Sequence, residues 1–399
     1  MTQEYGSERD SGEEPVVARQ PEPSVERSDG LAGTGLPDDR RPAWRAALPR
    51  LLAVYLLSRV LVLLVAGALT AIPVTYHGDT WTDRPILSVL TGSDAVYYLG
   101  IAAEGYHVEA VKGAFYDWVF FPLYPAVVRV ASIATLGDIA LAGVLVANLA
   151  FLAALLVFYA LSVRHLGRET ALRAAGFLVL APGAVAFTMA YTDSLFFLAG
   201  VGAMLAAERR RWPLAGLLYG MAALTRLPGV LLGIPLLLVM LQANGWRPTR
   251  AIAWLAPGPL ALIGFAAWLG ATVGDPLGFL TGQAAWVIAP TIGGGSAAPR
   301  FDPLPMLLIA TLLGYTFLLV YLRPDRIALP YAALTLLALL TVVASLRLQS
   351  VARYLAVAWP FAWILANRQA AWFRESWPYL TAGLFTLHAV LHFTQAMAP

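Results

Sequence analysis

Asp94 stands in the run Ser93-Asp94-Ala95-Val96-Tyr97-Tyr98-Leu99-Gly100-Ile101, with Glu104, Tyr106 and His107 close behind. The pattern predicts a short helix whose first turn begins at Asp94. A carboxylate there lies at the positive end of the helix dipole and is favoured ionised. Ser93 is the expected cap, its hydroxyl accepting from an orphan N–H. Tyr97, Tyr98 and Ile101 are spaced to share the face of Asp94. An ionised carboxylate flanked by phenols suits a general base that takes the proton of a hydroxyl. The same residues also suit a plain amphipathic helix resting on a membrane.

Other groups with chemical potential follow. Phe120-Phe121-Pro122-Leu123-Tyr124-Pro125 fixes φ at two prolines and biases Phe121 and Tyr124 toward extended backbone. Pro125 is placed to start the next helix. The run reads either as a rigid re-entry into the membrane or as a substrate lining. Asp193, in Ala190-Tyr191-Thr192-Asp193-Ser194, falls at a turn between two apolar segments. Arg226, ahead of Pro228, comes about 22 Å along its helix. Arg353, next to Tyr354, begins a later apolar segment. Intramembrane arginines are costly and face a polar cavity or a partner. Arg226 and Arg353 therefore either hold a lipid phosphate or pair with acids such as Asp193. Arg59, inside the first segment, reads as a residue that snorkels or pairs.

The elements that must position these groups are apolar helices. Of 399 residues, 59% are hydrophobic and 13% charged, and the mean hydropathy is +0.68. About eleven segments are long enough, or nearly so, to cross a bilayer. They lie near 51–73, 138–162, 170–188, 190–207, 212–226, 228–243, 251–272, 303–322, 327–346, 350–366 and 377–394. The fold class is thus an all-α polytopic membrane protein. Arginines recur in every second connection, among them Arg164, Arg168, Arg209, Arg210, Arg211, Arg247 and Arg250. By the positive-inside rule this puts the N-terminus in the cytoplasm and the loops about 74–137 and 273–302 outside. The expected location is the plasma membrane, multi-pass, with the site extracytoplasmic.

Residues 1–45 are expected to be a disordered cytoplasmic tail, and 46–399 the transmembrane domain. Ten of the 24 acids fall in residues 1–41, among Gly, Pro and Ser, a composition that cannot bury a core. There is no cysteine, hence no thiolate nucleophile or disulfide. Asp-x-Asp, P-loop, dinucleotide and HExxH motifs are absent, so no metal or cofactor is expected and no nucleic-acid partner is indicated.

The order Asp94…Ile101-Ala102…Gly105-Tyr106, the run from Phe120 to Pro125, Ala190 to Ser194, Thr225-Arg226 and Arg353-Tyr354…Pro360 resembles the PIG-V-like mannosyltransferases. These are GT-C glycosyltransferases related to the second mannosyltransferase of GPI-anchor synthesis. The resemblance runs over about 50–366. It implies a GT-C-like bundle whose first outer loop carries short interfacial helices. It also implies a polyprenyl- or dolichyl-phosphate-mannose donor, no metal, and Asp94 as the catalytic acid residue. One departure is Ser93, where the family usually has Trp; this bears on sugar stacking and acceptor choice, and a degenerate member is one reading of it. The Ala-, Leu- and Arg-rich composition with a single lysine fits a bacterial source.

Together these readings give an inverting transfer of mannose to an extracytoplasmic lipid, glycan or protein. Asp94 is the base and Arg226 and Arg353 hold the phosphate. Asp193, Tyr354, Tyr97, Tyr98, Tyr106, His107, Phe121 and Tyr124 shape the pockets. The competing class is a transporter or flippase of a lipid-linked sugar.

Overall fold

The computed structural model describes residues 43–70, 74–76, 79–81, 85–107, 117–282, 329–345, 353–354, 358–368 and 370–393. The N-terminal tail expected over 1–45, except its last three residues, lies outside them. So do the apolar segment near 303–322 and most of the loop 273–302.

Among the described residues the architecture is helical, as the long apolar segments predict. α1 is Ala43–Thr70, α2 Ile86–Leu90, α3 Asp94–Glu104, α4 Leu123–Ala131, α5 Ile139–Leu166, α6 Arg168–Val179 and α7 Asp193–Glu208. Then come α8 Trp212–Thr225, α9 Gly233–Ala243, α10 Pro257–Thr272, α11 Leu329–Ser345, α12 Pro360–Ala366 and α13 Ala371–Phe393. Among the described residues, Ala47–Thr70, Ile139–Leu166 and Arg250–Thr272 are long and apolar enough to cross a membrane. Shorter apolar helices, Trp212–Thr225 and Leu227–Ala243 among them, accompany them. The first loop also holds a small antiparallel hairpin, Val74–Tyr76 with Asp79–Trp81, which the sequence reading does not contain.

α7 is the axis of the bundle. Ala199, Gly200, Gly202, Ala203, Ala206 and Ala207 give it a thin profile. Small residues let neighbouring backbones approach closely where no hydrophobic effect drives helices together. α5 packs on it from one side and α8 from another. Its first residue, Asp193, is 1% exposed. The chain reaches α7 through the 3-10 turn Pro182–Phe187 and the wholly buried stretch 188–192.

The first loop is folded as short helices α2, α3 and α4, as expected. Two local expectations change. Ser93 has φ 59 and makes no side-chain cap on α3, because its left-handed backbone turns the hydroxyl away from the helix N–H groups. It lies instead beside the Tyr191 phenol. α4 begins at Leu123 with Pro122 as its cap, and Pro125 sits inside the first turn, where no intrahelical N–H is needed. Tyr124 is therefore helical rather than extended.

Candidate functional site

Four charged side chains, distant in sequence, meet at the end of the bundle where α7 begins. Arg353 Nη1 donates to Asp94 Oδ2 at 2.6 Å. Its Nε lies 3.8 Å from Asp193 Oδ1. The same Asp193 oxygen accepts a hydrogen bond from Arg226 Nη1. The order Asp94, Arg353, Asp193, Arg226 alternates in sign, and with the acids ionised the group sums to zero. All four are secluded: exposure is 7% for Asp94, 1% for Asp193 and 9% for Arg226, and Arg353 is half-buried. A buried charge pair is weak evidence for stability, yet removing one member strands the other at high cost. The network therefore fixes geometry.

Each member owes its place to a local device. Asp94 and Asp193 both open helices, where the dipole favours a negative charge. Thr192 Oγ1 donates to the Thr225 carbonyl at 3.3 Å, tying the start of α7 to the end of α8. Arg226 leaves α8 in extended backbone (φ −157, ψ 146), and Leu227–Leu232 then folds back as a 3-10 turn. Gly229 makes that return possible: a Cβ there would lie 2.1 Å from the Ala222 carbonyl oxygen. Ala190 N–H donates to the Leu90 carbonyl at 3.0 Å, which joins the entry to α7 with the loop that carries Asp94.

Aromatic rings enclose the charges. The Tyr354 ring centroid lies 5.0 Å from the Arg226 guanidinium carbon and 5.7 Å from that of Arg353. Tyr191 lies 5.0 Å from Arg353 on another side. Its hydroxyl stands 3.2 Å from His392 Nε2 of α13. Tyr191 and His392 are site residues that the sequence reading misses. Tyr191 had a signal, being two positions from Asp193; His392 had none, because only tertiary packing brings the last helix to the site.

The other expected site residues divide. Tyr98 is buried near the charges, and burial raises its phenol above the ordinary value, with Arg226 opposing and Asp94 adding to the shift. It stays protonated at neutral pH. Tyr97 is half-buried and stacks on Phe120 at 5.0 Å. Tyr124 is fully buried, its hydroxyl donating to the Gly143 carbonyl at 2.9 Å. Phe121 packs on Phe265 and Phe279. Both therefore build the core under the loop rather than line a pocket, Tyr124 from the first turn of α4 and Phe121 from just before it. Tyr106 donates to the Phe120 carbonyl at 2.7 Å and lies against Phe265 and Trp268. His107 pairs with Asp117 at 3.1 Å, with 70% of its side chain exposed. These two anchor the loop. Asp117 is itself buried and also accepts from the His107 backbone N–H at 3.0 Å.

Arg59 stands apart from the charge group. It donates to the Thr188 hydroxyl and lies between the Tyr55 and Phe151 rings, 4.8 and 4.9 Å from their centroids. It pairs, as one of its two readings has it, but with a hydroxyl and two rings.

Arg226 and Tyr354 also line an apolar groove. Phe196, Leu231, Leu334, Leu337 and Trp359, from α7, the turn before α9, α11 and the start of α12, line it. The arrangement thus joins cations able to hold phosphate, a carboxylate able to take a proton and an apolar slot.

Residues 76–242 match the family described as Mannosyltransferase (PIG-V). Among curated proteins, GPI mannosyltransferase 2 of Cryptococcus neoformans is 30% identical over 149 residues, 36% of this chain and 35% of the fungal protein. The match thus spans about a third of the length of that relative. The archaeal oligosaccharyltransferase AglB of Archaeoglobus fulgidus, solved with an inhibitory peptide and a dolichol-phosphate, gives a TM-score of 0.46 at 13% identity. The alignment covers 89% of this chain and 56% of that one. The same enzyme tethered to an acceptor peptide gives 0.46 at 14% identity, over 90% and 56%.

Proposed function

From the match of residues 76–242 to the family described as Mannosyltransferase (PIG-V), we propose that this chain is an integral membrane glycosyltransferase. It moves mannose from a polyprenyl-phosphate carrier to a hydroxyl of an extracytoplasmic acceptor, with inversion. The observation that carries the proposal is the meeting of Asp94, Arg353, Asp193 and Arg226 beside the apolar groove.

The carrier's isoprenoid chain lies in the groove past Leu231 and Leu337. Its phosphate reaches Arg226 and Arg353, whose planar forks suit phosphate oxygens. A phosphate on Arg353 loosens that arginine's hold on Asp94. Asp94 then takes the proton of the acceptor hydroxyl as the oxygen attacks mannose C1. The C1–O bond to phosphate breaks, and the electron pair leaves on the carrier phosphate, which the two arginines stabilise. Asp193 keeps the guanidinium groups apart and oriented. Tyr98, neutral and buried beside the charges, closes the seat from the side of α3.

The test supplies the purified full-length chain in sealed proteoliposomes with polyprenyl-phosphate-mannose, and separately with GDP-mannose, against membrane lipid and glycan extracts. Transfer from the lipid donor alone, with the opposite anomeric configuration in the product, is the expected result. Transfer from GDP-mannose, or lipid-donor movement across the bilayer without any new linkage, would overturn the assignment.

A further inference from the structure

The opposite end of α7 carries a second polar assembly that sugar transfer does not use. Glu208, the last residue of α7, accepts from Arg164 Nε at 2.9 Å and from the Tyr331 hydroxyl, and meets His165 Nε2 at 2.6 Å. At 1.5 Å per residue this is about 22 Å from Asp193 along the helix. A cavity of about 340 Å³ opens beside it, lined by Arg164, His165, Arg210 and Gln242 from α5, the turn after α7, and α9. That volume is in the range of small-ligand sites.

The charge there is unbalanced. Arg164 and Arg210 face one carboxylate, Glu208, and Arg209 and Arg211 flank the turn. Arg210 also has φ 55, a left-handed backbone that glycine adopts freely and a long side chain does not. Its Nη2 donates to the Ala243 carbonyl at 2.7 Å, which holds the guanidinium at the cavity wall and, among the described residues, takes one of its donors.

We infer that this cavity is a binding site for a phosphate-bearing anion, recognised by the forks of Arg164 and Arg210 with Gln242 as a neutral partner. Guanidinium groups match phosphate oxygens in pairs. A basic pocket between helices at one end of a membrane bundle is placed for an anionic lipid headgroup, while free phosphate offers the same chemistry.

The experiment uses the full-length chain in nanodiscs of phosphatidylcholine, alone or with phosphatidylglycerol, reading the thermal midpoint and the lipid retained in native mass spectrometry. Phosphatidylglycerol should raise the wild-type midpoint, and the Arg164→Gln/Arg210→Gln pair should retain it about tenfold less. Arg210→Gly guards against misfolding: it relieves the turn, so its lipid-free midpoint should hold or rise while the lipid response falls. Arg374→Gln, an exposed arginine outside the cavity, should keep the response. Inorganic phosphate added to phosphatidylcholine discs separates the sources: an equal shift assigns a free anion, no shift assigns the headgroup. An unchanged lipid response in the double variant, or no response to either probe in the wild type, would refute the site.

Discussion

Asp94 is buried against Arg353, so two residues that the sequence suggests separately, one as a base and one as a phosphate ligand, are in contact. Their variants should then fail together. Asp94→Asn is expected to lower kcat by at least about 10²-fold, the lower reach of general-base assistance. Arg353→Gln should lower it comparably, and the double variant should be little worse than either, since contacting residues couple. Additive losses would mean the two act apart. His392 acts at one remove. It holds the Tyr191 hydroxyl, and Tyr191 covers the Arg353 guanidinium. His392→Phe is therefore predicted to lower kcat severalfold while the KM for the lipid donor stays put. A rise in KM with kcat intact would move His392 from the positioning of the base to the binding of donor.

At the scale of elements, the break after α8 decides where Arg226 points. Gly229→Ala drives a Cβ against the Ala222 carbonyl, and overpacking of this kind costs typically about 1–3 kcal/mol. A lowered thermal midpoint together with weakened donor binding is expected. Loss of stability alone would uncouple the turn from the site. The first loop supplies a test by alkali. Tyr98, Tyr106 and Tyr124 have phenols raised above their ordinary value of 10.0, chiefly by burial. In the unfolded chain they lose protons first, so their contribution to stability is complete below pH 10 and drains away as pH climbs above it. A midpoint that holds level from pH 10 upward would contradict this. These elements were partly legible. The helix at Asp94 follows from side-chain spacing and dipole preference, and the apolar spans from the length of their apolar runs. The inward turn of Phe121 and Tyr124 did not, because a proline pair signals rigid backbone without saying which face it presents. Nor did the left-handed Ser93, whose side chain type argued for a cap that its φ forbids.

Across the whole molecule, the sequence placed Asp94, Asp193, Arg226 and Arg353 as separate candidates, and only the packing of α3, α7 and α8 with the segment at Arg353 shows them in contact. Arginine bias predicts that the charge group and the Arg210 turn face opposite compartments. In this cysteine-free chain, Leu136→Cys at the first end and Arg247→Cys at the second, both exposed positions, should react with an impermeant maleimide from opposite sides. Labelling from one side would remove the extracytoplasmic site. The neutrality of the charge group has a kinetic corollary. A seat with no net charge offers little attraction to stray anions, and the base proposed for it, Asp94, is locked while Arg353 holds it. In the proposed reaction the carrier phosphate is the key, so substrates are expected to add in compulsory order, donor first. Spent carrier should then compete with fresh donor for the free protein, and the acceptor should find nothing ready to receive it until the sugar has arrived.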